Sequence, residues 1–165
     1  MGTVLIGIII GIAVTVVAEI LTIRSKTVLL RSSRFGFEET VETLKQAVEE
    51  AGWMLTEAED LKDSLRQTGI EKVRRICLLK AYKPEYVSEL LREVPHTACF
   101  IPAVFAVYET DSSSVEVSKI NTGIIGKVLG GVIAKVLGNS ISADEAKILG
   151  SVSEIKPEIK TETEA

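Results

Sequence analysis

The chain has 165 residues, room for one domain and a short extension, and with 46% hydrophobic and 25% charged residues it is neither disordered nor fibrous. A net charge of −4 and a pI near 5.2 exclude a general nucleic-acid-binding surface, which would be basic. Two cysteines and one histidine exclude a cysteine-rich structural zinc site and a multi-bridge disulfide scaffold.

The mean hydropathy of +0.28 is high for a soluble domain, and the apolar excess lies at the start. Thr3 to Ile23 reads TVLIGIIIGIAVTVVAEILTI, with Glu19 its one charge. As a helix it is about 31 Å long at ~1.5 Å per residue, enough for a hydrocarbon core of ~30 Å. Arg24, Lys26, Arg31 and Arg34 follow it, with no acid until Glu38. The positive-inside rule then predicts a single-pass anchor in the cell membrane over 3–23, with the rest of the chain cytoplasmic. A cleaved signal peptide competes, with small residues at Val16-Val17-Ala18, but the basic leader of such peptides is missing. Gly7 and Gly11 form a GxxxG that Thr3 and Thr15 extend into a small-residue stripe. Such a stripe suits a homodimer or docking on a membrane-complex partner; Gly is also common in membrane helices generally.

Thr27 to Leu30 predicts a first strand. Phe37, Val41, Leu44, Val48 and Ala51 fall at helical spacing, and Gly52 ends that helix. Trp53 to Glu57 is a short strand, and Asp60 caps a brief helix over Leu61 to Gln67. Lys72 to Ala81 predicts a strand, Pro84 opens a helix, and the long apolar run Cys99 to Tyr108 is the best strand candidate. Thr110 to Ser114 is a hairpin loop, and Val115, Val117 and Ile120 form the returning strand. Thr122 to Gly138 carries a near-repeat, GKVLG and AKVLG. Lys127 and Lys135 lie about 80° apart on a wheel of ~100° per residue. This helix either lies on the inner leaflet, its lysines at anionic head groups, or packs on the domain. Ser142 with Glu145 reads as a capping box opening a last helix, Ala143 to Ser153.

The chain thus divides into an anchor at 3–23, an α+β core at 27–121, C-terminal helices at 122–153 and an acidic, disordered tail at 154–165. The element order predicts a largely antiparallel sheet of about five strands with helices on one face.

Several stretches resemble a known family in their order and spacing. These are Phe37-Glu-Glu-Thr-Val-Glu-Thr-Leu44, Ala51-Gly52-Trp53, Leu55-Thr56-Glu57, Asp60-Leu61, Gly69-Ile70, Lys83-Pro84-Glu85, Ile101-Pro102 and Val107-Tyr108-Glu109. Over about residues 27–121 the chain is similar to the bacterial and archaeal domain of unknown function family 302. The resemblance implies a curved antiparallel sheet with packed helices, TATA-binding-protein-like and often dimeric, and brings no reaction. Members often carry cysteines where this chain has Tyr82 and Ala103, so a thiol or metal role carried over from the family is in doubt here.

No Walker loop, dinucleotide fingerprint, HExxH or GxSxG occurs. Cys77 reads as core. Cys99 stands three residues from His96, a spacing compatible with a thiolate–imidazole pair but equally with a loop histidine and a strand cysteine. Glu57, Glu59 and Asp60 form an acidic group, Lys72, Arg74 and Arg75 a basic one; both fit solvated faces. Three functions stay open. The leading one is non-enzymatic: a cytoplasmic domain beside membrane lipid, binding a protein partner or a small apolar ligand in a cavity near Trp53, Tyr82, Phe105 and Tyr108. The second is a redox, metal or haem accessory using Cys99 and His96. The third is a structural subunit of a membrane complex. The cofactor, if any, is unknown at this level, and no nucleic acid partner is expected.

Overall fold

A computed structural model describes residues 26–71 and 73–153, together with Gly11, Ile12, Val14, Thr15 and Val17 of the N-terminal segment. Gly7 and the acidic tail lie outside the described residues. Among those described, no helix is long and apolar enough to cross a membrane.

Five strands form one antiparallel sheet: β1 (Val28–Ser32), β2 (Met54–Asp60), β3 (Ile76–Tyr82), β4 (Ala103–Glu109) and β5 (Val115–Ile120). Their order across the sheet is β1-β5-β4-β3-β2. Every neighbouring pair runs antiparallel. The α+β fold with five antiparallel strands is as the sequence predicts.

Alternation along the strands separates two faces. Cys77, Leu79, Ala81, Phe105, Val107, Val115 and Val117 are buried on one of them. The register puts Val28 opposite Ile120 and Leu30 opposite Ser118 on the other, where Val28, Leu30, Val104 and Ile120 are exposed. Helix α1 (Phe37–Glu50) lays Phe37, Val41, Leu44 and Val48 into the core, at the spacing its sequence predicts. Helix α2 (Leu61–Arg66) starts where Asp60 accepts a hydrogen bond from the Lys62 amide, the expected cap. Helix α3 (Pro84–Glu93) opens on its proline and buries Leu90.

Three expectations need correction. The apolar run from Cys99 to Tyr108 is not one strand. Pro95–Phe100 is a 3₁₀ helix, a cis Ile101–Pro102 bond follows, and the strand begins only at Ala103. A proline with no N–H to give cannot continue a ladder, so the run breaks there.

The segment Thr122 to Gly138 is not one helix either. Helix α4 (Thr122–Leu129) stops at Gly130 and Gly131, whose φ values of 72° and 55° lie in the left-handed region that favours glycine. A short turn, Gly131–Ile133, leads into a π-helical stretch, Ala134–Ile141. Lys135 pairs with Glu89 at 2.7 Å, and Val136 and Leu137 are buried, so this stretch packs on the domain. It crosses α4 at Gly126 and Gly138. A Cβ on Gly126 would stand 2.3 Å from the Gly138 nitrogen. Gly126→Ala is therefore expected to destabilise by about 2 kcal/mol through overpacking. A urea midpoint unchanged from wild type would show that the two segments can part freely.

Finally, Ser142 caps nothing. Ile141 has helical angles, and helix α5 (Ser142–Gly150) continues the π stretch without a break. Glu145 is used elsewhere.

Candidate functional site

Position 119 follows Val115 and Val117 on the covered face of β5, so strand alternation drives a lysine into the core. Helix α5 meets it with Glu145 from above. The two side chains form an ion pair, each only 2% exposed. Glu145 Oε2 also accepts from the Thr122 hydroxyl at the start of α4. The Lys119 ammonium lies 6.0 Å from the centre of the Phe105 ring. Its one hydrogen-bond acceptor among the described residues is Glu145. Glu145 Oε1 is buried and has no hydrogen-bond partner there. Burial pushes the Lys119 ammonium down from its ordinary pKa and the Glu145 carboxyl up, because each charged form loses water.

This pair lines a cavity of about 190 Å3 between the ends of β4 and β5, the 3₁₀ helix and the C-terminal helices. Its walls are mainly apolar, with Phe100, Ala103, Ile125 and Leu137 around Lys119, Thr122 and Glu145. The exposed Cys99 and Ile120 stand at its rim. On its other side Glu145 borders a second cavity of about 260 Å3, against Leu29 and Arg31 of β1. The first is the better site, since both members of the ion pair and Thr122 share its wall. The π-helical stretch that supplies Leu137 fits this placement, because π turns recur at functional sites.

The preceding residue does a different job. Asp144 Oδ2 accepts from Trp53 Nε1 at 3.3 Å, Lys83 Nζ at 3.1 Å and Tyr86 Oη at 3.0 Å. Lys83 also donates to the Ala51 carbonyl, and Trp53 and Tyr86 meet edge to face at 6.5 Å. Two consecutive carboxylates in the first turn of α5 thus each hold a lysine. One fastens the helix to Trp53, just before β2, and to Lys83 and Tyr86 at the start of α3, and the other lines the cavity.

The four predicted cavity residues do not come together. Phe105 is fully buried beneath Lys119. Trp53 and Tyr82 border a smaller void of about 20 Å3 that shares Ala103 and Leu137 with the main cavity. Tyr108 pairs across strands with Glu116, donating at 2.6 Å, and burial with that carboxylate raises its pKa to about 12. Nothing lies within 4 Å of a Cβ placed on Gly11. The sequence reading missed Lys119 and Glu145. It named Val115, Val117 and Ile120 as the apolar residues of the returning strand and passed over Lys119, and it took Glu145 for half of a capping box.

Cys99 Sγ donates to the backbone carbonyl of His96 at 3.4 Å, so its bond is to the main chain of that residue. Cys77 is buried, which raises its thiol pKa. A thiol reagent applied to native protein at neutral pH is expected to modify one cysteine per chain, lost in Cys99→Ser. Two equally fast thiols would mean that the sheet opens at β3. Among the described residues no group of three or more His, Cys, Asp and Glu side chains is placed to hold a metal ion.

Comparison with known proteins adds a family. Residues 30–148 match the family described as Domain of unknown function DUF302. The chain belongs to the DUF302 family. A solved relative, an uncharacterised conserved DUF302 protein from Bacillus stearothermophilus, superposes with a TM-score of 0.69 at 16% identity, covering 76% of this chain and 98% of that one. At that identity the likeness concerns the fold. No curated protein matches the chain. The matched DUF302 region takes in the whole sheet except its first two residues, and both members of the buried ion pair.

Proposed function

We propose that this DUF302 chain is a small-ligand-binding domain held against a membrane by its N-terminal segment. One observation carries the ligand reading: a cavity of about 190 Å3 with apolar walls and a single buried polar group, Lys119–Glu145 with Thr122. Ligand sites combine an apolar body with a few placed polar groups in this way. The membrane half of the proposal draws support from Thr3–Ile23 and the basic residues after it. Ile12, Val14 and Val17 are each more than half exposed, an apolar surface suited to lipid. Val128 and Leu129, exposed beside Lys127 at the tip of α4, suit the same leaflet.

Native mass spectrometry of detergent-extracted full-length protein tests the ligand half. A retained small molecule, lost in Ala103→Phe, is the expected result; a bare chain with no ligand-dependent gain in melting temperature would sink it. For the membrane half, the protein is expected in the carbonate-resistant membrane fraction. Recovery of unprocessed chain in the soluble fraction would remove that part.

The uncovered sheet face favours one further reading. Val28, Leu30 and Ile120 lie side by side there, each more than half exposed, and suit pairing with a second copy. Leu30→Glu would then convert a dimer to a monomer in light scattering; a wild-type monomer dismisses it.

A further inference from the structure

We propose that the ligand is a neutral hydroxyl compound with a compact apolar body, its hydroxyl held between Lys119 and Glu145. This rests on the cavity reading above and names the chemistry of its occupant. An ammonium has three N–H donors. Lys119 uses one, on Glu145, and the Phe105 ring accepts no conventional hydrogen bond. The same carboxylate keeps a second oxygen, Oε1, without a partner. The pair therefore has ammonium donors to spare and a buried carboxylate oxygen without a partner among the described residues, and both side chains line the mainly apolar cavity.

Charge decides what can satisfy them. The pair is neutral as a unit. An anionic or cationic ligand would add an uncompensated charge beside two side chains that are each only 2% exposed, which is strongly unfavourable. A carbonyl can accept from Lys119 but leaves Oε1 alone. A carboxamide brings further N–H groups that the side chains of Phe100, Ile125 and Leu137 cannot accept. A hydroxyl does both jobs with one atom, accepting from the ammonium and donating to the carboxylate. Volume sets the rest. A cavity of about 150 Å3 takes up benzene, so about 190 Å3 suits one ring or roughly six carbons carrying the hydroxyl.

Phenol and toluene test this, because they have nearly the same shape and differ in the hydroxyl. Calorimetric titration of the full chain in detergent is expected to show phenol binding about tenfold tighter or more, the worth of a hydrogen bond to a charged group. In Glu145→Gln the amide oxygen must serve Lys119, which turns an N–H toward the place of Oε1. The preference for phenol should then fall below about threefold. Should that variant not fold, K119M/E145M keeps apolar walls, and toluene binding is expected to persist while the preference disappears. Equal binding of phenol and toluene by wild type overturns the hydroxyl assignment and leaves the cavity reading standing. A phenol preference that survives in K119M/E145M also overturns it. Failure of both compounds to bind wild type overturns the cavity reading and this inference together.

Discussion

Lys119→Met is expected to destabilise the domain by about 3–5 kcal/mol, the usual result of leaving one charge of a buried pair alone. Each partner is 2% exposed, so water cannot replace what is removed. Against a total of about 5–15 kcal/mol for a typical domain, such a loss brings the fold near its threshold. The deficit depends on pH with a definite sign. Burial already holds the Glu145 carboxyl above its ordinary value of 4.5. Without Lys119 it rises further, and a group whose folded pKa is raised gives up stability as pH climbs through that value. The variant should therefore be closer to wild type at pH 5 than at pH 8. The double variant K119M/E145M is expected to recover most or all of the loss, since well-packed apolar pairs replace buried ion pairs at little or no cost. Urea denaturation with an unchanged slope is the measurement. A single-variant loss below about 1 kcal/mol would mean that solvent reaches the pair, and the cavity would then be no apolar enclosure.

The same pair shows where sequence patterning runs out. Helix α1 is legible because its apolar residues repeat at one spacing over 14 residues, and the core face it covers follows from that. The hairpin of β4 and β5 is legible because TDSSS interrupts two β-rich runs. Lys119 was hidden by its own chemistry. A period of two starting from Val115 points it inward, but a lysine at an inward position needs a partner that one strand cannot show. Its partner is 26 residues further on, in a helix that reads as beginning at a capping box. Nothing local separates a Glu that caps from a Glu that dives into the core. The glycine break in α4 was written in Gly130-Gly131, yet glycines elsewhere in that segment blur the signal. Gly126 and Gly138 serve close crossing, not turning. The run after Cys99 misled through composition, because apolar residues fill both the 3₁₀ helix and the strand.

Asp144→Ala is expected to cost about 3 kcal/mol, for a reason distinct from that at Glu145. Here the carboxylate is the acceptor on which Trp53, Lys83 and Tyr86 converge, and its side chain is 13% exposed. Its removal leaves the indole N–H and the tyrosine hydroxyl without that acceptor, whereas Lys83 keeps the Ala51 carbonyl. Burial works to raise the Asp144 pKa, but hydrogen bonds from Lys83, Trp53 and Tyr86 more than offset it. The carboxyl therefore titrates below its ordinary value of 3.8. A group depressed in this way contributes stability that is complete above its unfolded pKa and is lost as pH falls through the folded one. Wild type should then show an acid limb of stability below about pH 4 that owes part of its slope to Asp144. Asp144→Asn keeps an acceptor oxygen but cannot titrate, so it should cost less than alanine at pH 7 and flatten that limb. Trp53 is the one tryptophan of the chain, and its fluorescence reports the transition at the clamp itself. Superimposable acid limbs for wild type and Asp144→Asn would show that α5 is held by its apolar face alone. The position of Glu145 over Lys119 would then owe nothing to its neighbour.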